Sequence, residues 1–139
     1  MEAPSSLIPD MVFTYPDKTC VGDAKYYVPL PNSSGGLPVG LPGVNDISKQ
    51  FLYQQSMLNP DSLELRKKVM PRPVYNAFFM PLPLSCADAL VKHYGSITMP
   101  LFPNLKIEAL QISPAALFAC YAENENLTPL RESIAGFFR

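Results

Sequence analysis

The sequence is poor in the residues from which most enzyme sites are assembled. It has one histidine, His93, no tryptophan, and three cysteines, Cys20, Cys86 and Cys120, that stand far apart. No two cysteines have the CxxC spacing, which excludes a zinc ribbon or a thioredoxin-like redox centre. One His and scattered Cys leave no tetrahedral metal set either. The odd count points instead to free, mostly buried thiols in a reducing compartment. Charge is scarce as well: 17% of residues are Asp, Glu, Lys or Arg, against roughly 25% in an average soluble domain. The net charge is −1, and phosphate backbones are bound by clustered cations, so nucleic acid is not the expected partner. The uncharged runs 73–87 and 109–122 contain proline and fall short of the roughly 20 residues that a membrane-spanning helix needs. The acidic start Met1-Glu2-Ala3-Pro4 resembles neither a signal peptide nor a mitochondrial presequence. Asn32-Ser33-Ser34 and Asn126-Leu127-Thr128 match the glycosylation pattern, but without a visible signal peptide they carry little weight.

Proline is what the chain has in excess. Its sixteen prolines are more than twice what a content of about 5% would give. Four of them punctuate Val69–Leu84, an apolar stretch. Proline fixes φ and removes a donor, so this stretch is expected to be neither helix interior nor central strand. Val74, Tyr75, Phe78, Phe79, Met80 and Leu82 are too apolar for a solvated linker, so an extended ribbon lying on an apolar surface is expected. Tyr26-Tyr27-Val28-Pro29-Leu30-Pro31 and the 97–103 segment with Phe102 repeat the device more loosely, at unequal spacings. Residues 1–45 hold most of the glycines, and they read as an extended Pro/Gly-rich arm with short strands at Met11–Tyr15 and Ala24–Val28.

Helices are expected after Gly43. Asn45 or Asp46 caps one that runs to about Leu58, with Ile47, Phe51 and Leu58 on one face. Asn59-Pro60-Asp61 starts a second, ending in Arg66-Lys67-Lys68. Ser85 and Asp88 cap a third, Cys86–Tyr94, stopped by Gly95. In 104–112 the alternation of Leu105, Ile107 and Ala109 suggests a strand, but Leu110 breaks the phase. Ser113-Pro114 and Thr128-Pro129 open a C-terminal helical hairpin. Its first helix is apolar all round and is expected to be buried; its second turns Leu130, Ile134, Phe137 and Phe138 to one side. The fold class is therefore read as mainly α, with about five short helices, long proline-rich segments and at most two or three short strands. A small helical part, 46–139, is interrupted by ribbons at 69–84 and 97–103.

Site chemistry is sought and not found. Cys86 and His93 would lie two helical turns apart, too far to pair. The Gly35–Gly40 run has prolines where a phosphate loop needs donors. Glu123 and Glu125 lack apolar surroundings that would raise a pKa. Pro71-Arg72-Pro73 and the 100–106 segment miss the SH3-ligand spacing by one residue. No catalytic residue, cofactor or metal ligand is assigned.

The expected function is that of a non-catalytic structural or accessory subunit of a large assembly, an organellar complex or a virus particle, in a reducing intracellular compartment. Other protein subunits would be its partners, clasped through Tyr26, Tyr27, Val28, Leu30, Val74, Tyr75, Phe78, Phe79, Met80, Leu82, Phe102, Phe137 and Phe138. Two other readings stand beside it. One is a small ligand-binding or enzymatic domain with an aromatic pocket of Tyr26, Tyr27, Phe78, Phe79 and Met80. The other is a peripheral membrane protein using Arg66-Lys67-Lys68, Arg72 and the Phe137–Phe138 end.

Overall fold

Between Pro73 and Pro81 lie seven residues without proline, Val74 to Met80, and they form the middle of a sheet. The computed structural model describes residues 9–30, 32–35, 38–58, 73–83, 89–122 and 127–138. In chain order these build β1 (Met11–Thr14), β2 (Thr19–Ala24), α1 (Val44–Leu58), β3 (Val74–Pro81), β4 (Val91–Thr98), β5 (Lys106–Ile112), α2 (Pro114–Ala122) and α3 (Thr128–Ala135). The strands make one mixed sheet in the order β1-β2-β3-β5-β4. β1 runs antiparallel to β2, and β4 antiparallel to β5, whereas β2, β3 and β5 run parallel. Parallel neighbours need a crossover, and the β2–β3 crossover contains α1.

The expectation of a mainly helical chain is thus wrong: the fold is a five-stranded mixed sheet with three helices among the described residues. Three local errors account for it. Within the Val69–Leu84 ribbon, Val74–Pro81 is in fact the central strand β3: Pro73 precedes it, and Pro81 is its last residue, at the end of the ladder opposite Ile112. The helix expected over Cys86–Tyr94 is overruled by β4, in which Val91, Lys92 and His93 pair with β5 and Tyr94 sits at a bulge before Gly95; residues 84–88 lie outside the described part. In β5, Leu110 breaks the alternation only because both faces of that strand are covered. A strand buried on two sides reads as a continuous apolar run.

Each face has its own cover. Phe51 and Tyr53 of α1 pack with Val21, Val74, Phe78 and Ile107. On the other face Leu130 and Ile134 of α3, with Phe138, pack on Cys20, Ala77, Phe79 and Leu110. Successive residues of β3 therefore serve opposite layers, as the pleat requires. Met11–Thr14, α1 and the two C-terminal helices stand where the sequence suggests. The second expected strand is displaced, since β2 covers Thr19–Ala24 and not Ala24–Val28. α2 is helical but not buried: Leu117 is exposed and Phe118 is 74% exposed. The 97–103 segment ends β4 and turns, with Phe102 N–H donating to Met99 O at 2.9 Å. The helix expected from Asn59 and the basic cluster Arg66–Lys68 with Arg72 lie outside the described residues.

Candidate active site

Asp23 is the fifth residue of β2, and Lys25 follows the strand's end by one. Two apart in extended chain, they project from the same face, the one that α1 covers. In the β1–β2 hairpin Met11 pairs with Gly22. The next pair outward sets Asp10 opposite Asp23, and their carboxyl groups share a hydrogen bond. The register of one hairpin thus brings two acids and a lysine together.

Asp23 is only 7% exposed. Burial pushes its carboxyl group above the usual carboxylate range, the bond to Asp10 adds to this, and the ion pair with Lys25 only partly opposes it. The Asp10 carboxyl group thus adds to burial in disfavouring charge on Asp23. Lys25 Nζ lies 2.6 Å from Asp23 Oδ2 and 3.0 Å from Asp46 Oδ1, in the first turn of α1. Burial works against its charge, yet bonds to Asp23 and Asp46 prevail and raise its pKa. The Phe78 ring, 5.8 Å from Nζ, adds a cation–π contact. The result is an ammonium group held between Asp23 and Asp46, with Asp10 beside Asp23.

One turn along α1 from Asp46, Gln50 is 1% exposed, and neither its Nε2 nor its Oε1 has a bonded partner. Asn76 Nδ2 donates to Gln50 O at 2.7 Å and to Gln54 Oε1 at 3.3 Å, while Asn76 Oδ1 is also unpartnered. Gln54 Nε2 is satisfied, donating to Val74 O at 2.8 Å. Buried amides left unpaired are costly, and in native proteins such groups concentrate at functional sites.

A second polar cluster occupies the opposite face. Glu108 Oε2 takes a 2.5 Å bond from Ser96 Oγ and lies 2.7 Å from His93 Nε2; its Oε1 lies 2.6 Å from Lys106 Nζ. Burial pulls this carboxyl group up, but the bonds from Lys106, Ser96 and His93 outweigh burial and leave it below the usual range. With Gly136 and Phe137 these residues line a cleft of about 330 Å³. Both Glu108 oxygens are occupied, so the group reads as a neutralised buried carboxylate.

The side chains proposed from sequence as a partner-binding surface divide. Val74, Phe78, Phe79, Met80, Leu82 and Phe138 are buried in this chain. Tyr75 stacks on Phe138, Phe102 on Phe51, and Phe137 on His93. Val28 is half-buried, and Tyr26, Tyr27 and Leu30 are exposed. None of the Asp10–Asp23–Lys25–Asp46 group was found from sequence. The signal was there: an acid and a lysine two apart at the end of a β-branched, apolar run, with a second acid before the preceding strand. Only the hairpin unites these residues, and nothing in their spacing announces it.

The sequence profile of the LlaJI restriction endonuclease family matches residues 2–123, a span that includes Asp10, Asp23, Lys25 and Asp46. The Type II restriction enzyme BsuMI component YdjA of Bacillus subtilis (strain 168) is 30% identical over 127 residues, which cover 88% of this chain and 25% of that protein. The chain thus spans about a quarter of the length of this curated relative. No solved structure matches. These likenesses overturn the non-catalytic structural subunit, with its proline-rich clasp, and the reading of the chain as no enzyme: the matching family is one of restriction endonucleases, and the relative is a component of a restriction enzyme. They likewise overturn the expectation that nucleic acid is not a partner. A net charge is a sum over the whole chain, whereas cleavage of DNA is decided by a few groups at one place. Among the described residues no helix is long and apolar enough to cross a membrane.

Proposed function

This chain belongs to the LlaJI restriction endonuclease family, and from that premise we propose that it carries a phosphodiester-cleaving centre for DNA, built on Asp10, Asp23 and Lys25. The observation that carries the proposal is the convergence of two acids and a charged lysine at one edge of the sheet, inside the matched span. Hydrolysis of a phosphodiester places growing negative charge on the phosphate oxygens. A preorganised ammonium group such as Lys25 is suited to stabilise it.

The donor set also fits a hard divalent cation. Asp10 and Asp23 offer oxygen only, and magnesium is commonly held by one or two carboxylates with the remaining positions left to water and substrate phosphate. Two carboxylates with open positions are too few for a closed zinc site. Asp10 and Asp23 would hold the ion. A bound divalent cation would polarise a phosphate oxygen and acidify a water ligand. Asp46 would keep Lys25 in place when Asp23 turns to the cation. The unsatisfied amide of Gln50, close by on α1, would order water beside the acids.

Acting on DNA, the chain would work inside the cell, and Cys20, free and buried, suits a reducing interior. The test is cleavage of supercoiled plasmid DNA in magnesium buffer by the protein and by its Asp23→Asn and Lys25→Ala variants. Each substitution should lower the rate by on the order of a hundredfold or more. Undiminished cutting by both would overturn this assignment.

A further inference from the structure

Two contacts fix how α1 lies along β2. At one end Asp46 Oδ1 is 3.0 Å from Lys25 Nζ, and at the other Tyr53 packs with Val21. Seven residues of helix and four of strand each span roughly 10–13 Å, so the two elements keep step between these contacts. Midway between Val21 and Lys25 on β2, and on the same face, stands Asp23. The matching place on α1 belongs to Lys49, which follows Asp46 by three residues and precedes Tyr53 by four, and so shares their side of the helix. Lys49 is thereby set level with Asp23.

Lys49 is held in place without being neutralised. Its Nζ lies 5.5 Å from the centre of the buried Tyr53 ring and donates a hydrogen bond to the Tyr53 hydroxyl. That bond holds its pKa above the usual lysine value; burial opposes this, and the charges of Asp10 and Asp23 add to it. Yet among the described residues no carboxylate comes within ion-pair distance of Lys49, and the residue is exposed. It is a fixed cation in the field of the two acids, with its charge open to solvent.

The candidate active site has use for such a group. It sets three carboxyl groups, Asp10, Asp23 and Asp46, against one ammonium, Lys25. A net charge of −1 gives the chain no general attraction for a polyanion. A DNA strand is drawn to a place where cations replace its counterions, and a lysine serves there as a point charge. We propose that Lys49 binds a backbone phosphate of DNA next to the scissile one and so positions the strand across Asp10 and Asp23. The proposal rests on the DNA-cleaving reading of Asp10, Asp23 and Lys25 and adds a substrate contact to it. Lys49 feels both acids without touching either, which suits the neighbouring phosphate and not the reacting one.

The test uses a DNA duplex whose cut position has been mapped, with binding measured in chelator over a series of salt concentrations. Lys49→Met keeps the stem over Tyr53 and removes the charge, and it should melt as the wild type does. It should bind on the order of tenfold more weakly at low salt, and the slope of log K against log salt should shrink by about one. Lys49→Arg should retain both. Duplexes carrying a single uncharged methylphosphonate at successive phosphates around the cut then locate the contact. One position beside the cut should weaken the wild type by a similar factor and leave Lys49→Met indifferent. In magnesium the loss in Lys49→Met should fall on KM and not on kcat. An unchanged affinity and slope would overturn the proposal. So would equal sensitivity of both proteins to every methylphosphonate, or a fall in kcat alone, which would put Lys49 at the reacting phosphate. If Lys25→Ala is inactive while Lys49→Met binds as the wild type does, the Lys49 contact alone fails. If Lys25→Ala and Asp23→Asn both cut undiminished, the catalytic assignment fails and this placement with it.

Discussion

Gln50 and Gln54 stand one turn apart on α1, both buried, and should answer the same substitution with opposite signs. Gln50 is 1% exposed with both ends of its amide unpartnered. Leaving a buried polar group unsatisfied costs about 1–3 kcal/mol, and replacing it by an apolar group of similar shape removes that cost. Methionine is unbranched and close to glutamine in length, so it adds little strain. Gln50→Met should therefore stabilise the chain by about 1–3 kcal/mol. With a urea m-value of about 2 kcal/mol/M, the unfolding midpoint rises by roughly 0.5–1.5 M. Gln54→Met instead strips the 2.8 Å bond from Val74 O and the 3.3 Å bond from Asn76. It takes the side-chain donor from Val74 O and leaves Asn76 Nδ2 with Gln50 O alone, and should cost about 1–3 kcal/mol. Urea unfolding followed by circular dichroism reads both variants. Destabilisation by Gln50→Met as large as that of Gln54→Met would refute the reasoning, because the Gln50 amide would then have to be satisfied. Plasmid cleavage gives a second readout. If Gln50 orders water beside the acids, the stabilised variant cuts more slowly, the usual exchange of stability against activity.

Asp23→Asn should abolish cleavage yet raise stability at neutral pH. A carboxyl group whose folded pKa is raised, here first by burial and then by Asp10, stabilises the fold fully below its unfolded pKa of about 3.9 and loses that contribution as pH rises. The gain from Asn should thus vanish in melts below about pH 4 and grow above it; a gain independent of pH contradicts this. Glu108 has the opposite sign, since its folded pKa is lowered despite burial by bonds from Lys106, Ser96 and His93. Its contribution is present above about pH 4.3 and is lost on acidification. Glu108→Gln should cost about 1–3 kcal/mol at neutral pH and flatten the acid limb of the stability curve; an unaltered acid limb would show that other carboxylates govern it. Gly22→Ala would drive a methyl group into Cε2 of the buried Phe79 ring. A cost of about 1–3 kcal/mol is expected in thermal melts, and Phe79→Leu in the same chain should recover part of it.

The legible parts of this fold were those in which local chemistry and tertiary role agree. Asp46 and the spacing of Ile47 and Phe51 mark α1, and the Ser-Pro and Thr-Pro starts mark α2 and α3. The centre was illegible because Val74–Met80 is covered on both sides and so loses the period of two that announces a strand. Pro73 and Pro81 then looked like breaks when they are borders. β4 was hidden for the opposite reason: in sequence Ser85 and Asp88 have the spacing of a cap, and Ala87, Leu90, Val91 and Tyr94 fall at helical spacing. The candidate site was legible only after the hairpin. Asp10 and Asp23 are thirteen residues apart with nothing between them that suggests chemistry, and their meeting depends on which residues of β1 and β2 face each other.

That pairing bears on how relatives are searched. The ladder from Thr14–Thr19 out to Met11–Gly22 counts the same number of rungs on each arm, so each acid is reached by the same count from the bend. Extra residues at Pro16 or Asp17 would lengthen the interval between the acids in sequence and leave them face to face. One residue added inside either arm would turn one carboxylate away from the other. A pattern with a fixed gap would therefore miss true relatives, whereas counting outward from the turn on both sides would retain them.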